Sequence, residues 1–156
     1  MKTKLSTEEQ LFGKITELIN AARKAVVTAV NLTMVHTYFE IGKMIVENEQ
    51  QGKERAAYGK KVLKELSTRL TEKFGKGFSV DNLERMRFFF KIYSSSISST
   101  PLTKFTLSWS HYLVLMRIKN DDERSFYEIE TTAKIIMFDK PLRGFKTLIR
   151  AENSKQ

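Results

Sequence analysis

At 156 residues, with 41% hydrophobic and 29% charged side chains, the chain has the size and composition of one soluble globular domain with a real core. It contains no cysteine, which excludes disulfides and thiolate metal sites. Its net charge of +9 suits an acidic polymer as partner, and that charge is local: residues 1–52 sum to zero, 53–91 to +6, 92–133 to −1 and 134–156 to +4.

No apolar run is long enough to span a bilayer. The opening Met1-Lys2-Thr3-Lys4-Leu5 runs into Ser-Thr-Glu-Glu without the apolar stretch of a signal peptide, so a cytoplasmic protein without membrane contact is expected.

Ser6 or Thr7 suits a helix N-cap, and Glu8 and Glu9 suit its positive end. Leu11, Ile15, Leu18, Ala22, Val26 and Val30, then Met34, Tyr38, Ile41 and Ile45, recur at helical spacing. They predict one extended helix, or two broken near Asn31, ending at Asn48–Gly52. A second helix is predicted from about Ala56 to Phe74, with Tyr58, Val62, Leu66, Leu70 and Phe74 inward and Lys60, Lys61, Lys64 and Arg69 largely outward. Gly75-Lys76-Gly77 stops it, because glycine adopts the left-handed cap conformation cheaply.

Ser79 caps a third helix that buries Leu83, Met86, Phe89 and Phe90; Asn82, Arg85 and Arg87 point outward. The run Phe88-Phe89-Phe90 invites comparison with a base-stacking platform, but core packing explains Phe89 and Phe90 better and leaves only Phe88 over. Residues 94–101, rich in serine and ending at Pro101, read as a polar loop. A helix restarts at Ser108, with Trp109, Tyr112, Leu113 and Met116 apolar, and another runs from Asp121 to about Lys134. The expected fold is therefore all-α, about five helices, with a helix-turn-helix-like unit near 56–91.

Catalytic chemistry is sparse. No G-x-x-x-x-G-K-[ST] or G-x-G-x-x-G is present, and His36 and His111 are far apart, so each reads as a packing or capping residue. Ser108, Ser110 and His111 lie too close together on one turn to imply a nucleophile and its base; a helix start capped by Ser108 is the plainer reading. No cofactor or metal is expected.

Six blocks resemble the N-terminal helical domain of the YhcG family: I-N-A-A-R-K-A-V-V-T-A-V-N (Ile19–Asn31), Y-F-E-I-G-K-M-I (Tyr38–Ile45), R-A-A-Y-G-K-K-V-L-K-E-L-S (Arg55–Ser67), G-K-G-F-S-V-D-N-L-E-R-M-R-F-F (Gly75–Phe89), L-S-W-S-H-Y (Leu107–Tyr112) and R-S-F-Y (Arg124–Tyr127). They occur in the family's order. The resemblance implies a DNA-associated bacterial protein whose helical region usually precedes a PD-(D/E)XK nuclease domain. That nuclease needs a Glu/Asp-x-Lys element to hold Mg²⁺ and assist water, and no Asp or Glu here has Lys two positions later. The division expected is a helical domain over 1–134 and a divergent basic tail over 135–156.

The function expected is a non-catalytic DNA-binding or assembly domain. Lys60, Lys61, Lys64, Arg69 and Lys76 are the candidate phosphate contacts; Ser79 and Asn82 sit where a recognition helix meets a groove, and Arg85 reaches a base edge or phosphate. The alternative is a protein-interaction module that forms a homodimer or docks a nuclease domain or subunit in trans, without touching DNA.

Overall fold

The computed structural model describes residues 6–51, 56–96 and 105–138. Among the described residues there are five α-helices and no strand: α1 Thr7–Gln51, α2 Ala56–Phe74, α3 Val80–Tyr93, α4 Trp109–Leu115 and α5 Asp121–Phe138. Gly52, both prolines, most of the serine-rich loop and most of the basic tail lie outside the described residues.

The helix α1 is continuous through Asn31, so of the two readings of the N-terminal stripe the single helix holds. A reciprocal capping box starts it. The Glu9 backbone N–H donates to Ser6 Oγ at 3.2 Å, and the Ser6 backbone N–H donates to Glu9 Oε2 at 2.9 Å. The stripe is continuous in sequence but not in burial. Val35 is the first buried residue of α1, followed by Phe39, Gly42, Ile45 and Val46, whereas Leu11, Phe12, Ile15, Leu18, Ile19, Val26, Val27 and Val30 are all exposed.

The C-terminal half of α1 packs on α3, and this pairing organises the domain. The helices approach closely at Gly42, where a Cβ atom would collide with the Met86 carbonyl oxygen. Only hydrogen fits there. The half-buried Arg87 guanidinium donates from Nε to the Glu49 carboxylate at 2.8 Å and ties the same two helices. Arg87 therefore faces α1, correcting its expected outward position.

One core cluster is aromatic. Phe89 is fully buried and contacts the rings of Phe39, Tyr93, Phe105, Trp109 and Tyr112 at centroid separations of 5.0–5.9 Å. The tilted and edge-on geometries match those favoured by ring quadrupoles. Val35, Leu107, Leu115, Met116 and Tyr127 complete this cluster, with Phe90 and Ile135 packed against it. A second cluster joins Ile45, Leu63, Leu83 and Met86, and brings α2 onto the α1–α3 pair. The inward face of α2 is thus centred on Leu63, with Val62, Leu66 and Leu70 half-buried; Tyr58 and Phe74, expected inward, are exposed. Leu63 was hidden because the series 58, 62, 66, 70, 74 steps by four and drifts around a 3.6-residue helix.

Two buried polar residues fix the C-terminal helices. Arg124 donates to the Ile118 carbonyl at 3.0 Å and to Asp121 Oδ1 at 2.6 Å, clamping the turn between α4 and α5. Tyr112 donates through its hydroxyl to Glu128 Oε1 at 3.1 Å and accepts from the Thr106 backbone N–H at 3.3 Å. Burial and the nearby Glu128 carboxylate push the Tyr112 hydroxyl well above the usual phenol range, so it remains a donor. The helix α5 runs through Lys134 to Phe138.

Candidate nucleic-acid interface

The basic segment forms a helix, a glycine turn and a capped helix. Gly75 and Gly77 have φ of +82° and +126°, conformations that side chains with a Cβ rarely adopt, and the Gly75 N–H closes the end of α2 on the Thr71 carbonyl at 2.9 Å. Ser79 then caps α3, its Oγ accepting the Asn82 backbone N–H at 3.3 Å. Both sequence-based expectations for this turn hold.

Lys60, Lys61, Lys64, Arg69 and Lys76 are all exposed. At 3.6 residues per turn, Lys60, Lys61 and Lys64 fall within a sector of roughly 100° on one flank of α2. Arg69 falls on the opposite flank, close to Lys73. The basic surface is therefore two flanks of one helix with Lys76 at its end. Lys73 was absent from the expected set; its i, i+4 spacing from Arg69 was the available signal. The ion pair between Lys61 and Glu65 is 3.9 Å long between exposed side chains, too weak to neutralise the lysine.

Ser79, Asn82 and Arg85 form a chain of bonds on the first turn of α3. Asn82 Nδ2 donates to the Gly77 carbonyl at 3.1 Å, and its Oδ1 accepts from Arg85 Nη1 at 3.1 Å. Asn82 is thus a positioning residue that ties the glycine turn to an exposed guanidinium. The outward residues of α3 are Asp81, Glu84, Arg85, Phe88 and Lys91, two acids and two bases beside one aromatic ring. The excess positive charge belongs to α2 and the turn.

The remaining polar chemistry is structural. Ser108 occupies the N-cap of α4, but its Oγ bonds His111 Nδ1 at 2.7 Å instead of a backbone N–H. The helix start at Ser108 is as expected, but the hydroxyl makes this local bond and not the expected cap. The pair is local to one turn, and the imidazole is buried, which lowers its pKa from the ordinary histidine value. Among the described residues no group of three or more His, Asp or Glu side chains could hold a metal ion, and no helix is long and apolar enough to cross a membrane.

Residues 14–138 match the DUF1016 N-terminal domain. The chain is also 38% identical over 151 residues to an Escherichia coli (strain K12) protein named "Putative nuclease YhcG". The similarity covers 79% of this chain and 40% of that protein, so the chain spans about two fifths of the relative's length. No solved structure matches. The helical architecture and the ordered sequence blocks agree with these likenesses, and the chain belongs to the family of the DUF1016 N-terminal domain.

Proposed function

We propose that this domain is a non-catalytic DNA-contacting module of a nuclease-associated protein, holding duplex phosphates with α2 and the glycine turn. The observation that carries the proposal is the five exposed cations of α2, Lys60, Lys61, Lys64, Arg69 and Lys73, against two acids, Glu65 and Glu72, with Lys76 just beyond the helix end. Phosphate contacts need only exposed, mobile cations, and Lys60, Lys61, Lys64 and Lys76 supply them, with Arg69 on the other flank of α2. Arg85, held by Asn82 at 3.1 Å, is the residue proposed to reach a base edge or phosphate at the start of α3. Asp81, on the first turn of that helix, and Glu84 on its outer face repel phosphate, so the contact proposed for α3 is confined to Arg85. This geometry is a variant of helix-turn-helix docking, with more of the binding carried by the first helix.

A second reading, docking of a nuclease domain or subunit in trans, is favoured by the exposed apolar residues of α1. A duplex-binding comparison separates the two. Replacing Lys60, Lys61 and Lys64 with glutamine is expected to lower affinity for every duplex sequence, while neutralising Asp81 and Glu84 raises it. Equal affinity across these variants would remove α2 as the contact surface and leave the docking reading.

A further inference from the structure

The exposed half of α1 carries more apolar surface than a single helix in water requires. Leu11, Ile15 and Leu18 are 46–71% exposed, and no residue from Ser6 to Met34 is buried. The apolar stripe is also not an extension of the core face. Its centre lies roughly 120° around the helix from the face carrying Val35, Phe39, Gly42 and Val46. It is a separate surface that the described residues leave uncovered.

The pattern of the stripe says what covers it. Leu11, Ile15, Leu18, Ala22, Ala25 and Ala29 alternate at spacings of four and three, a seven-residue repeat of the coiled-coil type. Three large residues come first and three alanines follow. In a parallel pair the large residues meet each other and the alanines meet each other, so one end is wide and the other narrow. In an antiparallel pair each large residue meets an alanine: Leu11 opposite Ala29, Ile15 opposite Ala25, Leu18 opposite Ala22. The layers then have nearly equal volume, and the helix axes stay at constant spacing. Charge follows the same rule. Residues 7–19 carry Glu8, Glu9, Lys14 and Glu17, a sum of −2; residues 20–34 carry Arg23 and Lys24, a sum of +2. Antiparallel pairing sets the acidic half against the basic half, whereas parallel pairing sets like against like. Opposed helix dipoles add to the same preference.

We infer that two copies of this chain associate through residues 8–32 of α1 as an antiparallel helix pair, with its two-fold axis near Asn20. The overlap is about 37 Å long and removes on the order of 1,000 Å² from water, the lower bound of a specific interface. A reversible dimer in the micromolar range is the consequence. The inference is independent of whether α2 binds DNA; if it does, each dimer presents two basic surfaces, one towards each end of the pair.

The absence of natural cysteines allows a direct test on the full chain. Sedimentation equilibrium from roughly 1 to 100 µM is expected to show monomer shifting to twice the 18.1 kDa chain mass. Leu18→Glu, at a position exposed in the single chain, should abolish the shift with unchanged circular dichroism. For register, Leu11→Cys and Ala29→Cys variants are mixed under mild oxidation. Antiparallel pairing gives a mixed disulfide between them and little self-linking of Ala29→Cys. A monomer at every concentration, with the stripe covered in cis, overturns the inference. So does a dimer that survives Leu18→Glu, or Ala29→Cys that links chiefly to itself.

Discussion

Gly42 illustrates how one hydrogen atom sets a helix crossing. The missing side chain lets the α1 backbone approach the Met86 carbonyl, and a methyl group has no room because its neighbour is backbone. Gly42→Ala is expected to destabilise the fold by at least about 1–3 kcal/mol, read as a lowered midpoint in urea. Gly13, with nothing within 4 Å of its added Cβ, is the control. Gly13→Ala should stabilise by up to about 1 kcal/mol, since alanine is the better helix former. His111 is the other residue with a clear consequence. Burial lowers its pKa, so the unfolded chain binds a proton more readily than the folded one. The contribution of the neutral ring is complete above the unfolded value of about 6.5 and is lost as pH falls below it towards the depressed folded value. Wild-type stability should decline between neutrality and mildly acidic pH, and His111→Gln should flatten that part of the profile.

Local signals located the elements well where cap chemistry and periodicity agreed. The Gly75-Lys76-Gly77 stop and the Ser79 cap appear where residue chemistry puts them, because positive φ and an N-cap hydroxyl are requirements of single positions. Ser79→Ala should cost about 1 kcal/mol and Ser79→Asp little, measured by chemical unfolding. What stayed illegible depends on partners far away in sequence. Leu63 is buried because it meets Ile45, Leu83 and Met86; Arg87 turns inward because Glu49, 38 residues earlier, waits there. The Asn120 cap of α5, accepting the Glu123 N–H at 2.9 Å, was legible but overshadowed by the acidic run after it. The stripe of α1 gave the helix correctly but could not distinguish apolar positions that enter this domain's core from those that stay outside it.

Across the whole domain, the helices sort charge and apolar surface into different places. The C-terminal half of α1 and α3 hold the core, α2 displays the cations, and the N-terminal half of α1 displays an apolar face. The positions of Lys60, Lys61 and Lys64 on a single flank were readable from spacing alone; the inward ties of Asn82 were not, because they depend on the shape of the glycine turn. Phosphate binding by α2 is tested most directly by fluorescence anisotropy on a labelled duplex across a salt series, comparing wild type with the triple substitution Lys60→Gln, Lys61→Gln and Lys64→Gln. Log affinity should fall steeply with log salt for wild type, and the slope should shallow by about 0.9 for each phosphate that the substituted side chains no longer neutralise. Identical slopes and affinities for the two proteins at low salt would contradict phosphate binding by this helix.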